Sequence, residues 1–131
     1  MAARMKILVV DDDDSMRQAI TRLLKAAGYE NVTFPTAEAC LASEAASTAD
    51  CLISDLHLPA MSGLELLAEL RRRKCGIPVI LMTAFDEPGL HLHALERGAA
   101  AYLAKPFPGT ALLKSIQELG GAGTGADETT S

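Results

Sequence analysis

With 131 residues, 49% of them hydrophobic and 22% charged, the chain has room for one fully cored domain and too little for two ordinary ones. A net charge of −5 argues against direct nucleic-acid binding by this chain, because a grip on phosphates relies on Lys and Arg releasing counterions. No apolar run approaches the ~20 residues needed to span a bilayer, and no basic segment leads into a signal-type apolar stretch, so no membrane association is expected and the cytoplasm is the expected compartment.

Residues 7–10 form a continuous apolar run, the pattern of a strand covered on both faces in a parallel sheet. Asp11, Asp12, Asp13 and Asp14 follow without a break, so a buried strand delivers four carboxylates to its own carboxyl end. Ligand crevices of open parallel sheets lie at that edge, and crowded carboxylates repel one another unless a divalent cation binds. The cluster points to Mg²⁺, while capping of the next helix accounts for Asp13 or Asp14. That helix carries Met16, Ala19, Ile20, Leu23, Leu24 and Ala27 on one face and ends at Gly28.

A second strand is expected over 31–34. Thr36 then caps a second helix whose Ala37, Cys40 and Leu41 face inward. The third strand, 51–54, ends on Asp55. Ser62 and Glu65 make a capping-box pattern for a third helix that buries Leu64, Leu67 and Leu70. Arg71, Arg72, Arg73 and Lys74 read as a basic helix end favoured by the dipole, with no function of their own.

The fourth strand, 78–82, leads to Thr83; Asp86, Glu87 and Pro88 look like the start of a fourth helix and Gly98 like its stop. His91, Leu92, His93 and Leu95 give that helix a mixed face, with both histidines at the surface. A short fifth strand at 101–103 precedes Lys105, and Leu112, Leu113 and Ile116 restore clear helical periodicity. From Gly120 the composition is that of a flexible tail or linker, which divides the chain into a domain over 1–119 and a tail over 120–131. Cys40, Cys51 and Cys75 lack zinc-ligand spacing and read as small buried or half-buried residues.

Five strands alternating with five helices make an α/β domain. Adjacent parallel strands bring Asp55 beside Asp11 and Asp12, and three carboxylates at one sheet edge hold a hard, oxygen-loving ion. Thr83 and Lys105 end two further strands. A hydroxyl and an ammonium beside carboxylates and a metal are what a transferred phosphoryl group requires, since its catalysis is mostly positioning and charge neutralisation.

Over residues 6–119 the chain resembles the receiver domain of two-component response regulators. The resemblance is carried by the Asp11-Asp12 pair, Asp55 within Asp-Leu-x-Leu-Pro-x-Met-x-Gly, Thr83-Ala84, and Lys105-Pro106-Phe107, all in family order and at family spacing. It implies a flavodoxin-like three-layer sandwich with a five-stranded parallel sheet of order 2-1-3-4-5 and five helices. It also implies that Asp55 accepts a phosphoryl group from a sensor histidine kinase or phosphotransfer protein. Mg²⁺ would be the cofactor, held by Asp11, Asp12, Asp55 and the backbone carbonyl of His57. Lys105 would bind the phosphoryl oxygens, aimed inward by a cis peptide to Pro106. Thr83 and Tyr102 match the family's switch pair, through which phosphorylation changes the face of the fourth helix, fifth strand and fifth helix. From the residues alone, Tyr102 is equally a half-buried core aromatic.

Such a chain is a switch that catalyses only its own phosphorylation and dephosphorylation, not a conventional enzyme. Its output would be a partner protein, a homodimer formed on phosphorylation, or an output domain. The Thr36-Ala37-Glu38-Ala39 helix start resembles FixJ-like or NtrC-like receivers that precede DNA-binding or ATPase domains, which adds transcription regulation to the expected roles. Two other classes fit less well. A phosphatase working through an aspartyl-phosphate needs a general-acid Asp just after its nucleophile and a substrate cap, whereas Leu56 and His57 follow Asp55 with no cap-sized insertion. A flavodoxin-like cofactor binder needs a Gly-rich or Ser/Thr-rich phosphate loop after the first strand.

Overall fold

The computed structural model describes residues 5–128. In chain order its elements are β1 (Lys6–Val10), α1 (Asp14–Ala26), β2 (Glu30–Phe34), α2 (Ala37–Ser43), a 3₁₀ turn at Ala45–Ser47, β3 (Cys51–Asp55), α3 (Gly63–Arg72), β4 (Val79–Thr83), α4 (Leu90–Glu96), β5 (Ala101–Ala104) and α5 (Gly109–Glu128). All strand pairs are parallel, in the order β2-β1-β3-β4-β5. The central strands β1, β3 and β4 are nearly or wholly buried, as their continuous apolar runs require, while the edge strands β2 and β5 are half-exposed.

Side chains that alternate along each strand feed two core layers. Leu8, Val10, Leu52 and Leu81 pack with Ala37, Cys40 and Leu41 of α2, Leu66, Leu67 and Leu70 of α3, Ala94 of α4 and Tyr102. Ile7, Val9, Ile53, Ile80 and Met82 pack on the other face with Ile20 and Leu24 of α1 and Leu112 and Ile116 of α5. Two helical layers around one sheet make the three-layer sandwich.

Asp13 caps α1, accepting from the Ser15 and Met16 N–H groups, and Thr36 caps α2 by accepting from the Ala39 N–H. Ser62 and Glu65 form the expected capping box on α3. Three helical details differ from the sequence reading. In α3 the buried line is Gly63, Leu66, Leu67 and Leu70, at spacings of 3, 1 and 3, which leaves Leu64 on the flank and only half-buried. In α1, Ala19 and Ala27 are exposed, because Ile20 and Leu24 with half-buried Met16 and Leu23 already fill the interface. Helix α4 starts at Leu90 rather than near Asp86: Gly89 is its N-cap in the left-handed region (φ +86°), with no side-chain cap, and Asp86 is engaged elsewhere.

Helical backbone in α5 runs past Gly120, where composition places the start of a tail, through Glu128. Propagating an existing helix adds one hydrogen bond per residue fixed, without a new nucleation cost. Residues 129–131 of that tail lie outside the described residues. The basic end of α3 is taken up locally. Glu69 accepts from both Arg72 and Arg73, at 2.6 and 2.8 Å, and Arg71 donates to the Cys75 carbonyl. All three cysteines are free thiols; burial pushes Cys40 up to about 11 and Cys51 up to about 12, so both stay neutral. Among the described residues no helix is long and apolar enough to cross a membrane.

Candidate functional site

The register of the central strands builds the site. Val10 of β1 pairs with Ser54 of β3, so Asp11 and Asp55, each one residue further on, arrive side by side at the same sheet edge. Beyond the strands the ladder continues: Leu56 N–H donates to the Met82 carbonyl and Lys105 N–H to the Thr83 carbonyl, both at 2.7 Å. Lys105 is thereby held beside Thr83, with β4 between it and Asp55. The Lys105–Pro106 peptide is cis.

The four consecutive aspartates divide their tasks. Asp11 is fully buried: Oδ1 accepts from the Asp13 N–H at 2.9 Å and Oδ2 from Lys105 Nζ at 3.1 Å. Asp13 is occupied as the α1 cap, and Asp14 pairs with Arg17, whose guanidinium also donates to the Asp11 carbonyl at 2.7 Å. Asp12 remains exposed. Capping and pairing thus remove Asp13 and Asp14 from the pocket. On β3, Asp55 is buried; Oδ1 accepts from the His57 N–H and Oδ2 from Lys105 Nζ, both at 2.9 Å.

One oxygen each from Asp11, Asp12 and Asp55 lie within 4.8 Å of one another. A single ammonium cannot neutralise three carboxylates, and the donor set is all hard oxygen, which fits Mg²⁺. Burial, the dominant influence, raises the Asp11 carboxyl above its ordinary value, Asp55 adding to the rise while the Asp13 N–H and Lys105 oppose it. Burial alone would lower Lys105, but the hydrogen bonds and charges of Asp55 and Asp11 together outweigh it and hold the ammonium charged. The negative charge of the pocket, which Lys105 compensates only in part, therefore favours an added cation.

Gly63, the last residue of the Asp55 motif, has a steric reason. A Cβ there would stand 2.5 Å from the Asp55 carbonyl oxygen and 3.0 Å from Leu56 Cα. Only glycine lets the start of α3 approach the backbone of Asp55 so closely.

Thr83 is fully buried, and its Oγ1 accepts from the Phe85 N–H at 2.9 Å. Tyr102 stands on β5 opposite Leu81, two residues before Thr83 in β4, with its hydroxyl on Asp86. Burial first, then the Asp86 hydrogen bond and the charges of Asp86 and Glu87, push its phenol up to about 12. His57 contributes its backbone N–H to the site, while its ring meets Phe85 edge-on at 5.3 Å. The sequence reading missed Asp86 and His91, whose ring stacks on Tyr102 with centroids 4.8 Å apart. Asp86 and His91 flanking Gly89 carried no sequence signal of a contact with Tyr102 on the next strand.

Comparison with known proteins identifies the family and the fold. Residues 7–117 match the family model described as the response regulator receiver domain. The chain is similar to the DNA-binding transcriptional regulator NtrC of Salmonella typhimurium, 42% identical over 101 residues that cover 77% of this chain and 22% of that protein. It is similar to the transcriptional regulatory protein FixJ of Azorhizobium caulinodans, 33% identical over 89% of this chain and 56% of that protein. Among solved structures, Vibrio cholerae chemotaxis protein CheY4 superposes with a TM-score of 0.81 at 33% identity, covering 89% of this chain and 99% of that one. The chain thus spans about a quarter to a half of the length of these curated regulators.

Proposed function

The chain belongs to the response regulator receiver domains, the phosphorylation-controlled modules of two-component signalling, and on that footing we propose that Asp55 is its phosphoacceptor. An Asp55 oxygen attacks the phosphorus of a phosphohistidine on a sensor histidine kinase or phosphotransfer protein. The O–P bond forms as the N–P bond breaks, and the imidazole nitrogen leaves. Water later hydrolyses the aspartyl-phosphate, so the chemistry acts on the chain itself.

The observation that carries this reading is Lys105 Nζ held by Asp11 and Asp55 at once, 3.1 and 2.9 Å away. An ammonium already beside the attacking carboxylate meets the incoming phosphoryl oxygens without reorganising, which is where electrostatic catalysis gains most. Asp11, Asp12 and Asp55, with the backbone carbonyl of His57, are the groups that would hold Mg²⁺, which when bound neutralises phosphoryl charge. The Thr83 hydroxyl, at the neighbouring strand end, reaches toward a phosphoryl oxygen once about two negative charges enter the pocket.

Thr83 and Tyr102 then act as the switch, and the face of α4, β5 and α5 is the output surface. That surface serves a partner, a homodimer formed on phosphorylation, or an output domain following a receiver over 1–119 and a linker. The naming of the NtrC and FixJ relatives as transcriptional regulators supports transcription control as the process served.

Intact-mass measurement after incubation with acetyl phosphate and Mg²⁺ tests the acceptor. Wild type should gain one phosphoryl group and Asp55→Asn none, the amide being no nucleophile. Equal gain in both would overturn the assignment.

A further inference from the structure

Tyr102 has two partners that phosphoryl transfer does not require. Its hydroxyl donates to Asp86 Oδ1 at 2.7 Å, and its ring stacks on His91 with planes 13° from parallel. Asp86 lies in the loop after β4, His91 in the first turn of α4 and Tyr102 on β5, so one side chain joins three segments. Little else secures them: α4 begins at a left-handed glycine with no side-chain cap, and Ala94 is its one buried residue. Asp86 and His91 are exposed, so both regain water when the ring leaves.

We propose that Asp86 and His91 form a two-point latch on Tyr102 that fastens the β4–α4 loop and the first turn of α4 to β5, and that opening this latch is how the state of the phosphorylation pocket reaches α4. The second half rests on the switch role assigned above to Thr83 and Tyr102; the first half stands without it. Asp86 and His91 are positioning residues, acting through Tyr102 and touching no reacting atom.

Magnitudes favour a latch over a permanent tie. A hydrogen bond of ordinary net strength biases a two-state equilibrium about fivefold. An aromatic pair adds a comparable factor, so the two together hold the closed arrangement roughly 25-fold over the open one. A charged phosphoryl group can reverse a preference of that size. The phenol, raised to about 12, stays protonated and able to donate throughout the physiological range.

The chain has two tyrosines and no tryptophan, which supplies the test. In a Tyr29→Phe parent Tyr102 is the sole fluorophore, and a carboxylate that accepts a phenol's proton quenches its emission. Without any phosphoryl donor, Asp86→Ala should brighten Tyr102 and speed hydrogen exchange of the Leu90–Glu96 amides about fivefold. Asp86→Asn, which keeps a carbonyl acceptor but no carboxylate, should brighten emission while leaving exchange near the parent's. His91→Ala should speed exchange, and His91→Phe, which can still stack, should restore it. Unchanged emission and exchange in Asp86→Ala would overturn the latch.

Acetyl phosphate then tests its opening. The parent should brighten as intact mass shows a phosphoryl group gained, and Asp86→Ala, which lacks the quenching carboxylate, should not. A phosphorylated parent that stays dim would overturn the release step. Absence of any phosphoryl gain would instead remove the acceptor role of Asp55, and with it the release step, leaving the latch decided by the donor-free comparison.

Discussion

Asp11 and Asp55 stand at the ends of β1 and β3, two of the three strands flanked on both sides by another strand, and each of their four carboxylate oxygens has a partner. Tyr102 stands on an edge strand, beside a helix with one buried residue and no side-chain cap. The same sheet therefore carries a rigid region and a lightly held one, with β4 between them. Phosphoryl transfer needs its groups fixed to within about 0.5 Å, which central strands and a backbone ladder supply. A switch needs two arrangements of nearly equal free energy, which a dense core would forbid.

The largest way to break this contrast uses one substitution at two sites. In Gly63→Ala the new Cβ would lie 2.5 Å from the Asp55 carbonyl oxygen, a backbone atom that cannot step aside. We expect a loss of about 3 kcal/mol, roughly 10 °C in melting temperature, together with slower phosphorylation, since the strain falls on Asp55 itself. Gly89→Ala meets nothing within 4 Å and bears only the left-handed backbone at φ +86°. Its cost should be about 1 kcal/mol. Thermal melts of both decide the matter, and equal losses would mean that the α4 side is as tightly built as the pocket.

Lys105→Ala comes next. Lys105 balances two carboxylates from inside the pocket, its side chain only 14% exposed, so its removal leaves crowded negative charge behind. In chelator the variant should lose about 2 kcal/mol, less than for a fully buried pair because solvent reaches the site. Millimolar Mg²⁺ should raise its melting temperature more than wild type's, since the added cation takes over the neutralising task. Adding Asp12→Ala should shrink that gain. An identical Mg²⁺ response in all three proteins would separate the metal from these carboxylates.

Much of the rigid region was legible in the sequence because it rests on short-range rules. Unbroken apolar runs mark doubly covered strands, and an acid at the end of each such run is at the sheet's carboxyl edge by construction. The capping box of Ser62 and Glu65 and the Thr36 cap are likewise local. What the four-aspartate run could not reveal was the division of labour, since it depends on where Arg17 reaches and which carboxylate the Asp13 N–H meets. The α4 side was harder still. Asp86 looked like a helix start because acids often are, yet its partner is a phenol 16 residues away, and His91 looked like a surface histidine because helical periodicity carries no information about an edge strand. Composition likewise did not reveal that α5 continues past Gly120.

A smaller effect concerns pH. Asp11 is held above its ordinary value of 3.8, burial being the chief cause. A carboxyl raised in the folded state favours folding below its unfolded value and loses that contribution as pH rises through the folded value. At neutral pH, in chelator, ionised Asp11 therefore works against the fold. Asp11→Asn should melt higher there, and the advantage should vanish as pH falls below the ordinary carboxylate value. A lower melting temperature at neutral pH would show that pairing with Lys105 outweighs burial, and the pocket would then be self-sufficient without metal.

The smallest expected effect on folding sharpens the contrast from the other side. Leu92 is 61% exposed and Leu95 41%, both on α4, so neither contributes much burial to the fold. Replacing both by Ser should change stability by no more than about 0.5 kcal/mol, within the range of ordinary surface substitutions. On the proposed switch, their apolar character serves whatever α4 meets after phosphorylation. With acetyl phosphate, wild type should show the larger phosphorylation-dependent change in sedimentation or partner capture, and the double variant a weaker one at equal phosphoryl content by intact mass. A drop of more than about 5 °C in melting temperature would mean that α4 is anchored through these leucines after all, and the lightly held region would have to be sought elsewhere along the sheet edge.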